Sequence, residues 1–131
     1  MALITWTAEQ YGTGVGFADD EHKTLFGLLN KLYDEATSGA DRSTIGASLD
    51  ALISYVVDHF AHKEREMVAK NFGGYDRHKA EHVAFIGIAA DLQKKFHAGE
   101  ADVTEEVGQL VKGWLDNHIP TFDKSYSEAL Q

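Results

Sequence analysis

The residues best suited to chemistry lie in His59-Phe60-Ala61-His62-Lys63-Glu64-Arg65-Glu66-Met67 and its echo His78-Lys79-Ala80-Glu81-His82. His78 and His82 are four apart, so on a helix they stack one above the other, rotated by about 40°. Phe85, Ile86 and Ala89 continue that face, which turns the pair toward an apolar interior. A lone buried histidine is commonly an ordinary core residue satisfied by one neighbour. Inward imidazoles drawn from several helices are harder to satisfy, because each polar ring taken out of water needs a partner. A metal ion satisfies many such rings at once.

The inward ionisable residues are His22, His59, His78, His82, His118 and Asp123, which is five imidazoles and one carboxylate. Imidazole with carboxylate suits iron, zinc, copper or nickel better than calcium or magnesium. Six protein ligands exceed the four of a structural zinc site. Two metal ions sharing a bridging carboxylate fit the count better.

Four elements must position these groups. Residues 1–18 read as an irregular arm: Gly12, Gly14 and Gly16 alternate, while Trp6, Tyr11, Val15 and Phe17 supply apolar contacts to the body. The first helix is predicted from Asp19-Asp20-Glu21, whose acids favour the positive end of the helix dipole, to about Thr37. His22, Leu25, Phe26, Leu29, Leu32, Tyr33 and Ala36 form its inner stripe. The second runs from about Ser43 to Lys70, with Ile45, Leu49, Leu52, Ile53, Val56, His59, Phe60 and Met67 inside; Asn71-Phe72-Gly73-Gly74 ends it with a left-handed stop at glycine. The third spans about Asp76 to His97 and the fourth starts after the cap candidates Asp102 and Thr104. The fourth buries Val107, Leu110, Val111, Trp114, Leu115, His118 and Phe122, and Pro120 predicts a kink two residues after the inward histidine. No strand pattern, repeat or interdomain linker interrupts the chain. The expectation is one all-α domain over 1–131: an up-down-up-down four-helix bundle at 19–131 with an irregular N-terminal arm.

Composition narrows the function. The chain has no cysteine, which excludes disulfides and thiolate ligands and fits a cytoplasmic location. Twenty-one acids against twelve bases give a net charge of -9, which argues against nucleic acid and anionic membranes as partners. No apolar run approaches the ~18 residues of a membrane span, so no membrane insertion is expected.

Asp19-Asp20-Glu21-His22-Lys23-Thr24-Leu25-Phe26, then His59-Phe60 with Met67 following, then His78-Lys79 and His82, then Trp114-Leu115, His118-Ile119, Asp123 and Tyr126, resemble the hemerythrin family in order along nearly the whole chain. The opening Met1-Ala2-Leu3 to Trp6 and the stretch Lys94 to Glu100 are similar to its bacterial single-domain branch. The resemblance implies a non-haem di-iron centre that binds dioxygen reversibly, for oxygen transport, storage or delivery to an oxygen-consuming enzyme. It implies His78, His82 and His118 on the coordinatively filled iron, His22 and His59 on the iron with an open position, and Asp123 between them. Phe60, Trp114 and Leu115 match the apolar oxygen pocket. Reversible binding needs no catalytic acid or base, so no catalytic residue is expected. The alternatives are a di-iron oxidase, peroxidase or nitric-oxide-reacting enzyme, and an oxygen or redox sensor.

Lys63 departs from the family, which places a second bridging glutamate four residues after the second-helix histidine. A protonated lysine puts a cation where an anion is needed between two cations. Each unit-charge repulsion at ~4 Å costs about 4 kcal/mol at an effective dielectric of 20. Lys63 must swing away, lose its proton, or leave one iron position weak. Glu64, rotated by about 140° from His59, is expected to face elsewhere; Glu66 lies about 10 Å along the axis; His62, rotated by about 60°, could reach an iron if the helix turned slightly.

Overall fold

The computed structural model describes residues 4–100 and 105–119, and all of its long elements are helices. A four-residue turn, α1 (Ala8–Tyr11), precedes α2 (Gly16–Ser38), α3 (Arg42–Ala69), α4 (Tyr75–His97) and α5 (Glu105–His118). The α2–α3 and α3–α4 links are short. α2 packs on α3, α3 on α4, and α5 returns against α2. The result is the expected four-helix bundle. Its core is Leu25, Phe26, Leu29 and Leu32 from α2, Leu49, Leu52, Val56 and Phe60 from α3, Phe85 and Phe96 from α4, and Leu115 from α5.

The helix ends follow local chemistry. Gly39 closes α2 in the left-handed conformation at φ 84°, which a side chain would resist, and its N–H donates to the Glu35 carbonyl. The Asp41 carboxylate accepts from the Thr44 N–H at 2.7 Å and opens α3. The expected glycine stop after α3 is displaced: Asn71 takes the left-handed turn at φ 54°, and neither Gly73 nor Gly74 has a positive φ. Asparagine tolerates that region because its short polar side chain can bond locally.

The arm is more ordered than its glycines imply. The first long helix starts at Gly16, three residues before the predicted start, and Ala8–Tyr11 forms a helical turn. Asp19 explains the earlier start. Its carboxylate accepts from the Thr13 N–H at 2.9 Å and the Thr13 hydroxyl at 2.8 Å, fastening the turn ahead of α2. The arm is then pinned twice. Ile4 and Asn30 exchange two hydrogen bonds of 3.0 and 2.8 Å. The buried Tyr11 ring meets Phe26 edge-on, and its hydroxyl donates to Asp116 on α5 at 2.5 Å. The kink predicted at Pro120, the Phe122 side chain and Asp123 lie outside the described residues.

Candidate metal centre

Each long helix brings at least one histidine into the interior. His22 comes from α2, His59 from α3, His78 and His82 from α4, and His118 from α5, and none is more than 2% exposed. Two groups form. One nitrogen from each of His78, His82 and His118 lies within 4.8 Å of the others. The His22 and His59 rings meet edge to face with centroids 4.9 Å apart.

The three-histidine group fits a metal ion. His78 Nε2 and His118 Nε2 are 3.2 Å apart. Two nitrogens bound to one ion at about 2.0–2.1 Å, at tetrahedral to right-angle geometry, would be separated by roughly 2.9–3.4 Å. All three rings are buried, so an ion between them would be shielded from competing water.

Carboxylates from neighbouring helices orient several of these rings. Glu21 on α2 accepts from His59 Nδ1 on α3 at 2.7 Å. Glu64 on α3 sits 3.1 Å from His82 Nδ1 on α4. Glu81 on α4 lies 3.9 Å from His118 Nδ1 on α5. A carboxylate hydrogen-bonded to Nδ1, as Glu21 and Glu64 are, favours the tautomer that keeps the proton there and leaves Nε2 as the ligating atom, whereas Glu81 stands beyond hydrogen-bond reach. Burial pushes Glu21 up, but hydrogen bonds from His59 and His62 outweigh it and hold the carboxyl below its usual range. Burial raises Glu64, with the charges of Lys79 and Lys63 pulling the other way.

Helical spacing alone does not mark these acids as site residues. It turns Glu64 away from the His59 face, yet from that flank Glu64 reaches the α4 histidine on the neighbouring helix. The readable signal is position: Glu21 and Glu81 immediately precede His22 and His82, and a step of about 100° carries a side chain from the interior to the flank between helices. His62 likewise does not turn to a metal position. Its Nδ1 bonds Glu21 at 2.6 Å, its ring stacks on Phe17 at 4.2 Å, and its side chain is 33% exposed. His97 is half exposed near the end of α4 and pairs with Asp50 at 2.8 Å. Replacing Glu64 with Gln is expected to weaken metal binding about 10- to 100-fold without unfolding the chain. Equilibrium competition against a coloured chelator measures this, and an unchanged constant would show that Glu64 does not tune His82.

Lys63 settles one of its three alternatives. It does not swing away, because its side chain is fully buried. It sits on α3 one turn beyond His59, with Nζ 5.7 Å from the centre of the Phe60 ring. That same ring lies flat on His82, centroids 3.8 Å apart and planes 3° from parallel, and is 5.9 Å from His59. Trp114 stacks on His118 at 4.3 Å. Phe60, Trp114 and Leu115 line an apolar cavity of about 280 Å³ together with Leu25, Leu29 and Phe85.

A helical bundle that gathers imidazoles from all its long helices into a dry interior is a non-haem metal-binding bundle. Residues 13–130 match the family described as the Hemerythrin HHE cation binding domain, and the chain belongs to the hemerythrin family. It is 56% identical to the bacteriohemerythrin of Methylococcus capsulatus, over 99% of this chain and 98% of that protein. It is 34% identical to a hemerythrin-like protein of Naegleria gruberi, over 86% of this chain and 82% of that protein. A crystal structure of wild-type hemerythrin superposes with a TM-score of 0.96 at 56% identity, covering 98% of each chain.

Proposed function

We propose that this chain is a non-haem iron protein that binds dioxygen reversibly in its bundle interior. The observation that carries the reading is the packing of two buried histidine groups against one ring, Phe60, which also lines an apolar cavity. His78, His82 and His118 would hold one ion and His22 with His59 a second, with Asp123 as the carboxylate between them. Iron, when bound, supplies the redox-active centre that recognises dioxygen.

The chain's own residues supply the rest. Glu21 and Glu64 hold the His59 and His82 rings in the ligating tautomer. The cavity walls at Leu25, Leu29, Phe60, Phe85, Trp114 and Leu115 are apolar and favour a small apolar gas over water. This is a binding task, and no residue in it needs to pass through a catalytic cycle. No helix among the described residues is long and apolar enough to cross a membrane. We further assign the protein to the cytoplasm, on its lack of cysteine, and to the company of oxygen-consuming enzymes as recipients.

Anaerobic reconstitution with ferrous iron tests the reading. Iron per chain and the optical spectrum are measured under argon, in air, and under argon again. A spectral change in air that reverses under argon, cycle after cycle, is the expected result. Steady oxygen consumption with a reductant present would instead make the protein an oxidase, and absence of bound iron would overturn the reading altogether.

A further inference from the structure

Among the described residues the centre is lopsided in its histidines, and Lys63 deepens the imbalance. One side has three imidazoles converging within 4.8 Å, one of them braced by Glu64. The other side has two, His22 and His59, braced by Glu21. Lys63 is buried one turn beyond His59, with Nζ 5.7 Å from the Phe60 ring, and that ring lies on His82 of one group and 5.9 Å from His59 of the other. A carboxylate there would offer two oxygens, several lone pairs and a negative charge, enough to join two cations. An amine offers one lone pair when neutral and none when protonated. In neither state can it bridge two ions, and in neither does it neutralise positive charge.

Resting on the function proposed above, we propose that Lys63 splits the centre into two metal positions of very different strength. The His78–His82–His118 position is a tight, permanent site. The His22–His59 position is a weak site that fills and empties with the supply of free ferrous iron. Burial matters to this argument as much as chemistry. An exposed lysine would leave room inside for a water or a solvent anion, whereas Lys63 keeps its whole side chain within the bundle. The weaker position is the one that the family resemblance gives to dioxygen. Oxygen binding by this chain is therefore conditional on iron abundance, and the protein couples the two supplies.

The test is an anaerobic titration with ferrous iron alone, read as bound iron against free iron and as iron retained after gel filtration. The native chain is expected to show two classes of site separated by about 100-fold or more in affinity, with one ion per chain retained. Lys63→Glu is expected to bring the two classes together and retain two ions. Lys63→Gln, which removes the amine without supplying an anion, is expected to leave them apart. His59→Ala in the native background removes only the weak class, and His82→Ala only the tight one, so the proposal stays testable if the glutamate variant folds poorly. Two equally tight ions in the native chain would overturn the inference while leaving the iron-binding reading intact. No tight ion in either the native or the Lys63→Glu protein would overturn both.

Discussion

Chelating the metal out of the three-histidine position is expected to lower the melting temperature by roughly 12–16 °C. An ion present at a thousandfold its dissociation constant stabilises the folded state by about 4 kcal/mol, provided that the unfolded chain does not bind it. In a domain of this size 1 kcal/mol moves the midpoint by about 3–4 °C. The physical origin is the burial of His78, His82 and His118 with almost no exposed surface. Without an ion their converging nitrogens face one another in a low-dielectric interior, and water is kept out by the Phe60 and Trp114 rings stacked on two of them. Calorimetry of holo and stripped protein, with metal loss confirmed by elemental analysis, gives the shift. Superimposable curves would mean that these histidines are not ligands.

Phe60→Ala should be the most damaging single truncation, at about 3–5 kcal/mol of folding free energy. Phe60 is 2% exposed and central to the site. It lies flat on His82, meets Phe85 edge-on at 6.1 Å, tilts against Trp114 at 5.9 Å, and lies under Lys63. Truncation merges the space of one ring with the adjoining cavity of about 280 Å³, so the walls gain little by collapsing. It also frees the His82 ring to turn, which adds a loss of metal affinity to the loss of stability. Urea unfolding of the stripped protein isolates the first effect, and chelator competition measures the second. Phe60→Leu keeps most of the volume and should lose less than half as much stability. Equal losses for Ala and Leu would show that ring stacking, rather than volume, sets the contribution.

The parts of this structure that are legible in the sequence are those governed by a single helical period. His22, Leu25, Phe26, Leu29 and Leu32 recur at three and four and are all buried, as are Leu49, Leu52, Val56, His59, Phe60 and Met67. Periodicity says which face of one helix is inside. It does not say what stands on the neighbouring helix, and that is why Glu21, Glu64 and Glu81 do not stand out in the sequence: their work is done at the seams between helices. Backbone details are hidden for a related reason. The stop after α3 falls to Asn71 rather than to the adjacent glycines, and Asp19 draws Gly16–Ala18 into α2, because hydrogen bonds to nearby backbone decide such ends more than residue preference does. The unusual identity of Lys63 is plain from the sequence, but its burial is not, since a lysine at an inward position can equally snorkel out.

The carboxylates have a further consequence. They run in sequence around the bundle: Glu21 reaches from α2 to α3, Glu64 from α3 to α4, and Glu81 stands between α4 and α5. Each long helix therefore carries a ring for the interior, and two of them, α2 and α3, carry an acid that hydrogen-bonds the ring of the next helix. Adding or removing one residue within a helix rotates everything beyond it by about 100°, and would misplace a ring and an acid together. Changes of chain length are expected to cost less between helices than within them, where the spacing between His59 and Glu64 sets which neighbour each side chain reaches. The histidine centre acts as a ruler for the bundle, and the helices must keep count.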